Sequence, residues 1–165
     1  CKCGYLYQAE RACNKAPHCG AHYFQRLSGP LLDRFDLCVH VEATSFTSLQ
    51  NHELGETTGD IAARVRAARR CQSLRFSAHD GIHSNADAHG KLLTQTCALA
   101  TETISWLHKA LDHFQLSPRG YHRMLRVART IADLEGSDTI EKPHLSEALS
   151  FRPFPASGET AKQAG

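Results

Sequence analysis

Leu116-Ser117-Pro118-Arg119-Gly120-Tyr121-His122-Arg123 continues through Met124-Leu125-Arg126-Val127-Ala128-Arg129-Thr130-Ile131-Ala132-Asp133-Leu134 to Gly136, and the reading of this stretch decides the fold class. Ser117 offers an N-cap hydroxyl, and Pro118 fills the first helical position, where a missing N–H costs nothing. Tyr121, Met124, Leu125, Ala128, Ile131 and Ala132 then recur at helical spacing and are expected to point inward, with a stop near Gly136. Such a stripe needs other helices to cover it. Upstream, Thr101 to Phe114 keeps Ile104, Leu107, Leu111 and Phe114 on one side, with Thr101 as a cap and Glu102 suited to the first turn. Downstream, a short helix is expected after Pro143, carrying Leu145, Ala148 and Leu149.

Further out the signals weaken. Asp60 to about Phe76 has a helical pattern, with Ile61, Val65, Ala68 and Leu74 expected on one side and Arg64, Arg66, Arg69, Arg70 and Arg75 over the rest. Residues 77–100 are broken by Gly81 and Gly90 and predict one or two short helices. Residues 42–57 have a linker's composition. Leu37-Cys38-Val39-His40-Val41 alternates as a short strand, and a strand without partners implies chain beyond this segment. Residues 1–20, with Gly4, Pro17 and Gly20, read as a loop or knuckle, followed by a short helical run to Leu27. The fold class is therefore mainly α: a helical bundle preceded by the end of an α/β layer that contributes one short strand.

The chain has 165 residues, 19 Lys and Arg against 17 Asp and Glu, and a net charge of +2, which excludes a strong whole-chain attraction to polyanions. No apolar run is long enough to span a membrane, and the N-terminus lacks signal-peptide character, so no membrane partner and a cytoplasmic location are expected. The start at Cys1 points to a piece of something longer. Four of seven cysteines, Cys1, Cys3, Cys13 and Cys19, fall within the first nineteen residues, a clustering that points to metal before disulfide. Four thiolates would close a tetrahedral structural Zn2+ shell, with His18 and His22 as substitutes, and reduced free thiols are the alternative. Cys38, Cys71 and Cys97 stand alone and read by default as small buried hydrophobes.

Two stretches carry a resemblance. Arg26-Leu27-Ser28-Gly29-Pro30-Leu31-Leu32-Asp33-Arg34-Phe35-Asp36-Leu37 resembles the segment that holds the arginine finger in the Mg-chelatase branch of AAA+ ATPases, and Leu116 to Leu134 resembles the sensor-2 helix of the same branch. With the opening Cys-x-Cys-Gly, the chain resembles the ComM (YifB) competence-associated family more than the chelatase subunits themselves, over roughly residues 1 to 152. The resemblance implies that residues 1–42 are the C-terminal end of a AAA+ core with a Cys-rich loop and the finger. It also implies a linker at 43–57, a helical lid with sensor 2 at 58–152, and a disordered tail at 153–165.

Arginine suits both positions, because a guanidinium never loses its charge and meets phosphate oxygens with two donors. The resemblance implies that Arg34 is the finger, reaching a neighbour's triphosphate; without it, Arg34 reads as a surface cation paired with Asp33 or Asp36. Arg119 stands where the helix dipole disfavours a cation, and a nucleotide phosphate at that helix start would relieve the misfit, the sensor-2 role the resemblance implies. A simply solvated Arg119 is the alternative. Arg123 and Arg126 read as a solvated or interface face.

A phosphate-binding loop is missing: around Gly90-Lys91, Asn85 stands where the first glycine belongs and Leu92 where the hydroxyl belongs. No apolar strand ends in adjacent acids either, so Walker A and Walker B are both absent and this segment alone is expected to be inactive. ATP and Mg2+ belong to the parent protein, whose partners would be neighbouring subunits of a homo-oligomeric ring. Arg64, Arg66, Arg69 and Arg70 are the candidate DNA contacts, although a solvated face is the ordinary reading and no aromatic residue is interleaved among them. The function expected is ATP hydrolysis coupled to DNA remodelling, by helicase or branch-migration activity. The alternatives are a magnesium chelatase subunit-like ATPase and a non-catalytic zinc-stabilised binding module.

Overall fold

Ser117 caps its helix as its sequence predicts, accepting from the Gly120 N–H at 3.0 Å, and Pro118 is the first helical residue. Gly136 closes the same helix in the left-handed region at φ 79°, where its N–H bonds back to Ala132 and Asp133. The computed structural model describes residues 4–6, 10–32, 34–39, 41, 44, 55–114 and 116–152. Among them the helices are α1 (His18–Phe24), α2 (Gly29–Leu32), α3 (Thr58–Arg75), α4 (Gly90–Thr96), α5 (Thr101–Phe114), α6 (Pro118–Glu135) and α7 (Lys142–Ser150), with a 3-10 turn at Asn85–Asp87. The chain divides into two compact units, the described residues of one lying within Cys1–Leu37 and those of the other within Cys38–Arg152.

In the second unit α6 is the central element, packed against α3 and α7, with α4 also on it and α5 against α7. Its buried line runs Gly120, Met124, Leu125, Ala128, Arg129, Ala132, Asp133. Met124 and Leu145 are fully enclosed, with Phe76, Leu93 and Leu107 nearly so, and each such side chain contributes about 1.5–3 kcal/mol relative to exposure. A parallel bridge, Leu99 to Ile140, ties the segment before α5 to the segment before α7. At the start of α7 the Glu141 N–H donates to His144 Nδ1 at 2.9 Å, so His144 Nε2 carries the proton that faces the Glu135 carboxylate.

The mainly helical class is observed, and the two short elements between residues 77 and 100 are present as the 3-10 turn and α4. Leu37–Val39 form no ladder among the described residues; the Cys38 N–H donates instead to the Phe151 carbonyl at 2.7 Å. The expected apolar side of α3 is corrected. Ile61, Val65 and Leu74 are 43%, 44% and 68% exposed, and the helix buries Ala68 and Gln72 instead. Gln72 rather than Leu74 faces inward because α3 crosses α6 over a polar seam. Of the lone cysteines, Cys97 is buried, Cys38 half-buried and Cys71 exposed, so only the first is fully a core residue. The tail from Pro153 and most of the expected linker lie outside the described residues.

Candidate functional site

Arg119 is the second residue of α6 and is exposed, in a first turn that contains no acidic side chain. The neighbouring position explains how that turn is held. Gly120 is buried, and a Cβ placed on it would stand 3.0 Å from Arg152 Nη2 and 3.4 Å from Ser117 Oγ. A side chain at 120 would therefore crowd the Arg152 guanidinium, which arrives from just beyond the end of α7 and is only 7% exposed. Arg119 on the first turn and the Arg152 guanidinium against Gly120 both belong to this helix start, where the peptide dipole adds positive potential. Such a place attracts an anion. Arg126 is not a solvated residue: its Nε donates to the Ala88 carbonyl at 3.0 Å, and Nη2 lies 2.6 Å from His89 Nδ1.

One turn from the other end of α6 lies a polar network that sequence reasoning missed. Asp133 accepts from Arg75 Nη1 and Nη2 at 2.9 and 2.5 Å, from Asn85 Nδ2 at 2.8 Å and from Arg129 Nε at 3.1 Å. Arg129 also donates to the Ser137 and Asp138 carbonyls that follow Gly136. Burial pushes the Asp133 carboxyl up, but the bonds from Arg75 and Asn85 and the Arg129 charge outweigh it, leaving the group below the usual carboxylate range. Its hydrogen bonds hold the Arg75 guanidinium above its ordinary value. The signal available in the sequence was the Arg129–Asp133 spacing of four, which lies on the same face as Ala128 and Ala132.

Of the other predicted residues, Arg34 follows α2 in the first unit and is exposed; Asp33 lies outside the described residues. Arg119 belongs to the second unit. On α3 the four candidate DNA contacts are all exposed. Arg64 is engaged by Glu56, to which Nη1 and Nη2 donate at 2.7 and 2.9 Å, and Arg69 Nη1 donates to Gln72 Oε1 at 3.1 Å. Cys13 and Cys19 line an open recess of about 780 Å³ with Lys15, His18, His22, Tyr23 and Arg26, while Cys1 and Cys3 lie outside the described residues. Among the described residues no three His, Cys, Asp or Glu side chains gather closely enough to hold a metal ion. Two cations on the recess wall further disfavour a dication, so the described residues give zinc no support.

The chain matches two family models, "Magnesium chelatase, subunit ChlI C-terminal" over residues 55–152 and "Magnesium chelatase, subunit ChlI" over residues 1–49. It is similar to competence protein ComM of Haemophilus influenzae, 43% identical over 131 residues. The uncharacterized protein YifB is 40% identical over 131 residues in both Salmonella typhimurium and Escherichia coli. These matches cover 79% of the chain and 25% of each relative, so the chain spans about a quarter of the length of the curated relatives it matches. No helix among the described residues is long and apolar enough to cross a membrane. The C-terminal model coincides with the helical unit built on α6, and the chain belongs to the magnesium chelatase ChlI family, with ComM- and YifB-type proteins among its relatives.

Proposed function

We propose that the chain is the C-terminal part of a AAA+ ATPase of this family, comprising the end of the ATPase core over 1–42, a linker over 43–57 and a helical lid over 58–152. The observation that carries the reading is the start of α6, where Arg119 stands exposed in a first turn with no acidic side chain. In this reading Arg119 is the sensor that holds a nucleotide phosphate against the lid. Arg34, exposed at the end of α2, is the finger that reaches the triphosphate of a neighbouring subunit. The nucleotide, as its Mg2+ complex, occupies a core carried by the longer protein, and hydrolysis is coupled to DNA remodelling in a homo-oligomeric ring.

The test is made in the full-length ATPase. Arg34→Ala spares ATP binding and removes turnover, by a factor on the order of 10³ or more; normal turnover refutes the finger. Arg119→Ala raises KM for ATP or lowers kcat, and unchanged values of both remove the sensor.

A further inference from the structure

The recess in the first unit combines features that α3 lacks. Among the described residues its lining holds two cationic side chains, Lys15 and Arg26, two imidazoles, His18 and His22, and the Tyr23 ring, with no acidic residue among them. The order is helical: His18 and His22 are one turn apart on α1, and the Lys15 carbonyl accepts from the Cys19 N–H at the front of the same helix. Arg26 continues the stripe beyond the end of α1, its N–H bonded to the Tyr23 carbonyl. Tyr23 is 48% exposed, a large aromatic face left at the mouth of a positively lined space. Nearby in sequence, Arg11 lies over the Tyr5 ring at 5.7 Å, a second aromatic with a cation on it.

We propose that this recess binds single-stranded nucleic acid, with Lys15 and Arg26 on the phosphates and a base stacked on Tyr23. Electrostatic tracking of the backbone together with an aromatic platform is the combination by which such strands are held without sequence preference. On α3, by contrast, Arg64 and Arg75 are committed to Glu56 and Asp133, Arg69 bonds Gln72, and no aromatic stands between the arginines. The inference rests on the DNA-remodelling reading and moves its contact from α3 to the first unit.

The test uses the full-length ATPase that contains this chain and a fluorescent oligothymidylate, followed by anisotropy over a range of salt. Wild type binds with affinity that falls steeply with salt. Lys15→Gln with Arg26→Gln weakens binding about tenfold or more and lowers the salt slope by about 1.4, the value for two single-strand phosphate contacts. Tyr23→Ala loses about tenfold while Tyr23→Phe, which keeps the ring, stays near wild type. Arg66→Gln with Arg70→Gln binds as wild type. Circular dichroism of each variant checks its helix content, and the Tyr23→Phe rescue separates stacking from a folding defect.

Loss confined to the Arg66/Arg70 variant overturns the recess and leaves the DNA reading in place. No salt-dependent binding by wild type removes both. A Tyr23→Ala variant with full affinity, or equal binding of wild type to vesicles of anionic phospholipid, overturns the single-strand assignment.

Discussion

Replacing Asp133 by Asn isolates the network between α3 and α6. The side chain of Asp133 is 1% exposed and that of Arg129 3%, so the substitution leaves a guanidinium in the interior without its counter-charge. Arg75, 20% exposed, loses its bidentate partner at the same time. Breaking a buried pair by removing one member costs about 3–5 kcal/mol. For a helical unit of this size that corresponds to a fall in Tm of roughly 10–25 °C. Thermal and urea melts followed by far-ultraviolet circular dichroism measure it. Adding Arg129→Met to Asp133→Asn should recover part of the loss, because the orphaned charge is then gone and its volume is filled. A single variant that melts within about 1 °C of wild type would refute the claim that this network holds α3 to the bundle.

Acid should act through the same carboxylate. Its folded value lies below the unfolded one of about 3.9, so its contribution is fully present above that pH and is lost as pH falls through the folded value; Asp133→Asn should flatten the stability profile there. Gly136→Ala places a Cβ at φ 79° and should cost about 1–2 kcal/mol in a denaturant titration, with α6 ending less sharply. Ser117→Ala removes the cap on Gly120 N–H, at about 0.5–2 kcal/mol. Alkylation by iodoacetamide, read by mass spectrometry, should reach exposed Cys71 well before Cys97, whose thiol is buried, donates to the Leu125 carbonyl and is pushed up by burial.

The central helix was legible because each of its signals is local. A cap hydroxyl, a proline, a spaced apolar stripe and a closing glycine all lie within twenty residues and agree with one another. The α3 face was not legible, because its side toward the bundle is chosen by a polar partner 58 residues away, Asp133, and not by its own apolar residues. Periodicity ranks Ile61 and Leu74 as core; instead Gln72 is buried and Arg75 is drawn to Asp133. The two arginines at 34 and 119 were singled out by motif resemblance alone, and both are exposed. Arg152 was beyond reach, since nothing in its own neighbourhood announces a contact with Gly120; the glycine alone hinted that something approaches there.

Among the described residues, the buried side chains of α3, Ala68 and Gln72, and its clasp, Arg75 on Asp133, all lie in its second half. The first half, from Thr58 to Arg66, contributes none of these buried or clasped side chains. Amide protons near Asp60 should exchange by local fraying, while those near Gln72 should wait for the clasp to open, giving a gradient along one uninterrupted helix. Force applied at the Thr57 end is delivered by this stiff rod to the Asp133 clasp, and through it to the closing end of the helix that begins at Pro118.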